Sequence, residues 1–338
     1  MAVAELSPQE GAPEVRRERS LFEESLVRLF KNRVAVGSMI FIALLVIVAI
    51  FPQLVTNADP IRQDLLQTNA VPEWMLPIMP ENAENYAKFS SEYVLGADNL
   101  GRDLWARTIY GARVSLAVAF VASAVSLIVG TVYGSISGYL GGKVDNVMMR
   151  IVDFLYGFPF LIVVILLQAY FKALARRGSG DVGGIGGTVV RLNNQMGGML
   201  FLFIAIGLIN WLALARIARG QVLSYKEKEF VEAARSIGAS DTRIMFKHLL
   251  PNIMGPLIVA ETLAIPGYIF TEAFLSFIGL GVNPPTPSWG IMISEAVQGL
   301  RSYPNQIIVP AVMLSVTTLA FNFLGDGLRD AFDPRLKE

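Results

Sequence analysis

The chain has 338 residues, of which 53% are hydrophobic and 17% are charged, and its mean hydropathy is +0.50. Soluble domains carry roughly a quarter charged residues, so this composition excludes an ordinary cytosolic enzyme and predicts a membrane protein. Lys plus Arg and Asp plus Glu number 28 each, which leaves no net charge to attract nucleic acid. Because the chain has no cysteine and a single histidine, His248, the sequence excludes disulfides, thiolate metal sites and histidine metal clusters.

The first segment, residues 1–33, is predicted to be a polar tail that ends in a short amphipathic helix on the inner membrane face. Its apolar residues recur at helical spacing: Leu21, Phe22, Leu26, Leu29 and Phe30. The polar stretch is too long for a cleavable signal peptide, so we expect the first apolar run to be retained as a helix.

Six apolar runs are long enough to cross a bilayer core of about 30 Å. They are Val34–Val55, Val114–Leu140, Phe154–Phe171, Met199–Ala215, Pro251–Leu280 and Ile307–Gly325. The third run contains Pro159, and the fifth contains Glu261 and Glu272. The sequence therefore predicts an all-α polytopic membrane protein with six transmembrane helices.

The distribution of basic residues predicts the orientation. Arg28, Lys31 and Arg33 precede the first run, which places that side in the cytoplasm, and six crossings then place both termini there. The segment between the fourth and fifth runs carries seven further basic residues, whereas residues 56–106 carry eight acidic residues against three basic ones. One predicted external segment departs from the rule with four basic residues: Lys172, Arg176, Arg177 and Arg191.

These runs divide the chain into five predicted parts. They are a cytoplasmic tail with its amphipathic helix (1–33), a first transmembrane helix (34–55), an external loop (56–106), a five-helix core (107–330) and a cytoplasmic tail (331–338). Within the core, residues 178–198 contain eight glycines and are predicted to be a mobile external loop. Residues 216–250 are predicted to be cytoplasmic.

Small residues recur every fourth position in the second run, at Ser126, Gly130, Gly134, Gly138 and Gly142. Such a stripe lets another helix approach closely. Packing within the bundle is the favoured interpretation, and a subunit interface is the alternative.

The candidate chemical motifs are few. Gly178–Gly183 matches the pattern GxGxxG, but it lies between two spans rather than between a strand and a helix, so we do not expect a dinucleotide site. No phosphate-binding GxxxxGK[ST] motif is present, so no cofactor is predicted for this chain and any ATP must bind another subunit.

Two carboxylates within the fifth run need a polar environment. Glu261 and Glu272 are eleven residues apart, about three helical turns, so both are predicted to face one side. A charge at membrane depth is costly. Structural hydrogen bonding between helices is the favoured interpretation of the pair, and a place in the translocation path is the alternative.

The cytoplasmic segment before the fifth run has the densest pattern. Glu229–Ile237 is predicted to be a short helix whose small residues Ala233 and Ala234 permit contact with another surface. Gly238 would end that helix with a positive φ, Ser240 or Asp241 would cap the next one, and Pro251 would open the fifth span. This predicts a compact helix–turn–helix that docks a soluble partner.

That segment resembles the EAA loop of ATP-binding-cassette importer permeases. The matching residues are Glu232, Ala233, Ala234, Gly238, Leu250 and Pro251, and His248 agrees with the peptide and nickel branch of these permeases. Other stretches resemble signatures of the same branch. They are Leu95–Asp103 (LGADNLGRD, with Ala97 in place of Thr), Gly111–Leu116, Phe274–Gly281, Pro284–Gly290 and Asp326–Pro334.

The resemblance implies the type I importer fold and a permease subunit of the kind called "C" in dipeptide and oligopeptide transporters. It also implies a second permease subunit as heterodimer partner, two cytoplasmic ATPases that bind ATP and Mg, and an external solute-binding protein. The EAA helix would fit a cleft of the ATPase, and this chain itself would not be an enzyme.

Alternatives remain at two levels. Within the same family, nickel chelates and oligosaccharides are alternative substrates to peptides. Outside it, a membrane enzyme would need a nucleophile and base or metal ligands at membrane depth, and a stand-alone secondary transporter would show internal repeats. The sequence shows neither feature.

Overall fold

The computed structural model describes residues 21–177 and 184–332. The α-helices are α1 Leu21–Lys31, α2 Arg33–Ile50, α3 Leu104–Leu140, α4 Gly142–Tyr156, α5 Phe160–Arg177, α6 Gly184–Gln195, α7 Met199–Tyr225, α8 Glu229–Ser236, α9 Asp241–Arg243, α10 Leu250–Phe277, α11 Trp289–Ala296 and α12 Asn305–Phe332. A π-helical turn, Ile244–Leu249, joins α9 to α10. The strands β1 (Val71–Pro72) and β2 (Phe89–Ser90) form a short parallel pair.

The membrane-spanning prediction is confirmed for five single helices among the described residues. These are α2, α3, α7, the continuous helix Asp241–Phe277 and α12. A sixth candidate span consists of α4 and α5, which are bent by 79° relative to each other. The prediction of one helix across Phe154–Phe171 is wrong, because the chain leaves the helical path between Tyr156 and Phe160, where Pro159 disfavours a helical conformation for its predecessor.

Several helix boundaries in the structure also differ from the predicted ones. Helix α2 ends at Ile50 rather than at Val55, because Pro52 begins a separate 3₁₀ turn. Helix α3 begins at Leu104, well before Val114, although it then includes charged side chains. The Arg113 guanidinium donates to the carbonyl oxygens of Ala49 and Ile50 at 2.9 and 3.1 Å, so this charge is accommodated within the helix.

The glycine-rich segment is helical over much of its length. The mobile loop predicted for residues 178–198 is wrong for Gly184–Gln195, which forms α6, while residues 178–183 lie outside the described part of the chain. Val190 and Asn193 of α6 are buried. Packing against the bundle therefore overrides the weak helix propensity of glycine.

Helices α3 and α7 run parallel and form the most extensive helix–helix contact among the described residues. A Cβ atom added at Gly130 would lie 2.8 Å from Cβ of Leu214, and one added at Gly138 would lie 2.8 Å from the carbonyl oxygen of Arg219. Packing within the bundle, the favoured interpretation of the small-residue stripe, is thus confirmed for these glycines. Gly142 is wrongly included in the stripe, because α3 ends at Leu140 and nothing lies within 4 Å of an added Cβ there.

The remaining segments cover the two ends of the bundle. The segment before α3 folds over the outer ends of the helices, with Val71, Met75 and Ala87 forming a small core against Tyr303. Its 3₁₀ turns are Pro52–Leu54, Leu65–Gln67, Glu73–Ile78 and Ala83–Asn85, and a further one, Val297–Gly299, follows α11. At the opposite end, Leu29 of α1 packs against Leu328 and Ala331 of α12.

Candidate functional site

The helix α8 lies at the end of the bundle predicted to be cytoplasmic and is held by its inner face. Val231 and Ala234 are buried in a cluster with Ile244 and Leu249. Ala234 therefore packs into its own subunit and corrects the prediction that both alanines contact a partner. Ala233, on the outer side, is exposed as predicted.

The outer face of α8 is apolar. Phe230, Ala233 and Ile237 are spaced by three and four residues, so they share one side of the helix, and Ile237 is 86% exposed. We call these three residues the coupling surface. Single exposed hydrophobic residues are common, whereas an apolar stripe with helical spacing is typical of docking sites. That this stripe contacts another protein stays a prediction.

The turn after α8 matches the sequence prediction. Gly238 has φ +81°, which a residue with a side chain rarely adopts, and nothing lies within 4 Å of a Cβ added there. Ser240 is the cap of α9, since its hydroxyl accepts a hydrogen bond from the Arg243 N–H. Glu232 is exposed on α8 and has no side-chain hydrogen bond within the described ranges.

Pro251 lies in the first turn of α10, as predicted, but α10 is not a separate helix, because the helical path is continuous from Asp241 to Phe277. The N–H of Leu250 donates to the carbonyl of Met245, five residues earlier, which is π-helical bonding. A proline within a helix removes a hydrogen bond and crowds the preceding turn. We interpret the wider π turn as the local adjustment that lets the exposed Pro251 remain inside a continuous helix.

Polar contacts fix this end of the bundle beneath α8. The Tyr139 hydroxyl at the end of α3 donates to Asp241, and the Lys226 ammonium donates to the carbonyl of Gly138 at 3.1 Å. The Arg219 guanidinium forms two hydrogen bonds to the Asp145 carboxylate, which joins α7 to α4. These contacts join α3, α4, α7 and α9 at the end of the bundle where α8 lies.

The two membrane carboxylates lie on one side of α10, as predicted. The hydroxyl of Ser126 donates to Glu261 at 3.0 Å, and that of Ser115 donates to Glu272 at 2.9 Å. These serines of α3 are also eleven residues apart, so the antiparallel helices α3 and α10 are joined at two levels. Both glutamates are buried between helices in this structure, and their role in the translocation path stays a prediction.

A buried charge cluster joins the external segment to the bundle at the outer end. The Asp98 carboxylate accepts hydrogen bonds from the guanidinium groups of Arg102 and Arg107, both at 2.6 Å. Both arginines also donate to Glu295 of α11 at 2.8 Å. Burial raises the pKa of the Glu295 carboxyl, and the Arg102 guanidinium opposes that shift.

The sequence pointed to Asp98 and Arg102 only as part of the LGADNLGRD signature, and it did not predict that Arg107 and Glu295 belong to this charge cluster. It also missed Phe230 and Ile237, although their spacing around the alanines could have indicated the coupling surface. No local sequence pattern indicated a role for Glu295, because its partners Arg102 and Arg107 lie almost two hundred residues earlier in the chain.

A bundle of apolar spans with an exposed apolar stripe on the helix at one end defines an integral membrane protein. Residues 130–338 match the family model of the binding-protein-dependent transport system inner membrane component. Residues 20–72 match the N-terminal TM domain of oligopeptide transport permease C. The chain belongs to this family of inner-membrane permease components, whose members work with ATPase and binding-protein partners.

Relatives match along nearly the whole chain. The oligopeptide transport system permease protein OppC of Haemophilus influenzae is 40% identical over 322 residues, covering 94% of this chain and 89% of the relative. The dipeptide transport system permease protein DppC of Bacillus subtilis is 37% identical, covering 94% and 87%. Among solved structures, an inward-facing form of the MetNI methionine ABC transporter has 20% identity and a TM-score of 0.48, covering 68% of this chain and 97% of that chain.

Proposed function

We propose that this chain is one permease subunit of an ATP-driven importer for dipeptides and oligopeptides. The relatives above are named for oligopeptide and dipeptide transport, and a further one, 34% identical, is named for glutathione, itself a short peptide. These names favour peptides over nickel chelates or oligosaccharides. The subunit has no catalytic role and binds neither ATP nor Mg, which belong to its ATPase partners.

The proposed assembly contains a second permease, two cytoplasmic ATPases and an external binding protein, with both termini of this chain in the cytoplasm. The observation that carries the coupling role is the exposed apolar stripe of Phe230, Ala233 and Ile237. In this proposal the stripe enters an apolar cleft of an ATPase, and closure of the ATPases on ATP moves α8. ATP must then favour one permease state over the other.

The test is Ile237→Asn in the transporter co-expressed with its ATPases, second permease and binding protein. Burying an isoleucine contributes about 1.5–3 kcal/mol, so we expect the variant to retain the ATPases roughly tenfold less well or worse. Co-purification, ATPase activity stimulated by loaded binding protein, and uptake of a labelled dipeptide are the three measurements.

The matched control is Ile185→Asn, because Ile185 on α6 is also 86% exposed but lies at the opposite end of the bundle. Its ATPase retention should equal that of the parent. Equal loss in both variants, or full retention in both, would remove the coupling role from this surface. Failure of the parent to import any peptide would instead refute the proposed substrate.

A further inference from the structure

A cavity of about 380 Å³ opens at the outer ends of α5, α7 and α10, far from the coupling surface. This volume is within the range of small-molecule binding pockets. Its lining includes Gln168, Lys172 and Arg176 from α5, Asn193 from α6, and Gly279 and Asn283 from the segment after α10.

The charge of this cavity is entirely positive among its lining residues. Lys172 and Arg176 are four residues apart on α5 and therefore share one face of the helix. The Lys172 ammonium donates to the carbonyl oxygen of Gly279 at 2.9 Å, and no Asp or Glu of the described ranges lines the cavity. Neither cation forms an ion pair within residues 21–177 and 184–332, so both are available to an anion.

The position of these cations is itself unusual. Lys172 and Arg176 belong to the basic residues that depart from the positive-inside distribution on the six-span topology. Their placement at the outer end, around a cavity rather than spread over the surface, indicates a local use for positive charge.

A buried polar group lies one turn deeper on the same stripe of α5. Gln168 is 1% exposed, and its side-chain oxygen has no hydrogen-bond partner among the described residues. Buried polar atoms are nearly always paired, and an unpaired acceptor is costly. A ligand that supplies an N–H group at this point would satisfy it.

The opposite wall is built by close backbone contacts. The N–H of Asn283 donates to the carbonyl oxygen of Gly197 at 2.7 Å, which holds the α6–α7 turn against the end of α10. Gly198 has φ +89°, and a Cβ added there would lie 3.0 Å from the Asn283 amide group. The turn thus approaches Asn283 as closely as glycine allows, and it keeps this wall in place.

We propose that this cavity binds the carboxyl-terminal end of a peptide on its way into the transporter. The terminal carboxylate meets Lys172 and Arg176, while the N–H of the last residue donates to Gln168. A peptide end carries an acceptor anion and a donor N–H within the same residue, which fits the two cations and the unpaired oxygen together. The inference rests on the proposed function, because it takes the cargo to be a peptide.

The test uses the complete reconstituted transporter with saturating binding protein and two peptides of one sequence, one ending in a free carboxylate and one in an amide. In the parent, uptake of the acid should exceed uptake of the amide. In the double variant Lys172→Gln with Arg176→Gln, the ratio of acid to amide uptake should fall about tenfold. The ratio cancels any general loss of folding or delivery that affects both peptides alike.

Two further variants provide a control for the cations and a separate test of Gln168. Arg191→Gln removes an exposed cation of α6 that does not line the cavity, and it should keep the ratio of the parent. Gln168→Leu should slow uptake of the ordinary peptide several-fold but leave unchanged a peptide N-methylated at its last amide, because that peptide has no N–H to donate.

Two outcomes would overturn the proposal without touching the proposed function. They are an unchanged acid-to-amide ratio in the double variant and equal sensitivity of both peptides to Gln168→Leu. If the unchanged ratio is accompanied by weaker docking of the binding protein, the cations serve an acidic surface of that protein instead. If the parent imports no peptide of either form, the proposed function itself fails.

Discussion

Gly238 shows how a single residue determines the direction of a helix in this protein. Its φ of +81° directs the chain from α8 back towards α9, and no neighbouring atom crowds the position. The requirement for glycine is therefore one of backbone conformation alone. A substitution at Gly238 therefore changes the backbone energy without adding a steric clash, whereas a substitution at a packed glycine would do both.

We expect Gly238→Val to impair coupling while the chain still reaches the membrane. A β-branched residue at positive φ costs roughly 1–2 kcal/mol, and the cost can be relieved by turning α8 away from its native direction. ATPase retention and peptide uptake should fall together. Membrane content measured by immunoblot should stay close to that of the parent.

Gly238→Asn is the control, since asparagine tolerates the left-handed region better than other residues with side chains. It should restore most of the coupling lost in the valine variant. If valine and asparagine behave alike, the conformation of this turn does not set the position of the coupling surface.

At the scale of helices, the closest contact joins α3 to α7. A Cβ added at Gly134 would clash with the backbone carbonyl oxygen of Ala215 and would lie 2.8 Å from Cβ of Ala218. Backbone cannot move aside as a flexible side chain can. The two helices would have to separate to accept even one methyl group.

We therefore expect Gly134→Ala to lower the thermal unfolding temperature of the purified subunit, with overpacking costing about 1–3 kcal/mol. Gly267→Ala in α10 is the matched control, because nothing lies within 4 Å of its added Cβ. It should be neutral or stabilising by about 0.4–1 kcal/mol, since alanine restricts the unfolded chain. Equal unfolding temperatures for the two variants would contradict the tight packing of α3 on α7.

Sequence patterns predicted some of these helices and missed others, for physical reasons. Long apolar runs and a regular stripe of small residues are local signals, so most spans and the packing face of α3 could be predicted. The break around Pro159 and the helix α6 could not, because both depend on tertiary packing that outweighs local composition. Arg113 likewise shows that a charged side chain does not have to end α3, since two carbonyl oxygens accept its hydrogen bonds, whereas Asp103 caps the helix at its actual start.

On the scale of the whole molecule, the buried charge cluster fastens the external segment to the bundle. Asp98 stands between Arg102 and Arg107, and the same arginines reach Glu295 on α11. The cluster thereby connects the external segment and the start of α3 to α11, almost two hundred residues later in the chain. A single sequence gives no sign of such long-range pairing, which is why this part of the architecture escaped prediction.

We expect Asp98→Asn to destabilise the subunit by about 3–5 kcal/mol, because it leaves two buried guanidinium groups sharing one carboxylate. Asp153→Asn is the control. Asp153 pairs with Arg216, but the two side chains are 65% and 45% exposed, so the loss should be at most about 1 kcal/mol. Thermal unfolding in detergent distinguishes the two variants, and a small effect of both would mean that the cluster does not hold the external segment.

The uninterrupted helix from Asp241 to Phe277 has a mechanical consequence. Its 37 residues, which include Pro256 and Pro266, extend over roughly 55 Å, with α8 beside the inner end and the cavity wall at Gly279 and Asn283 directly beyond the outer end. A rotation of about 10° around the midpoint would displace each end by about 5 Å in opposite directions. In the proposed transporter, an ATPase that displaces the inner end would therefore change the width of the cavity at the opposite membrane face, provided that the helix moves as one body.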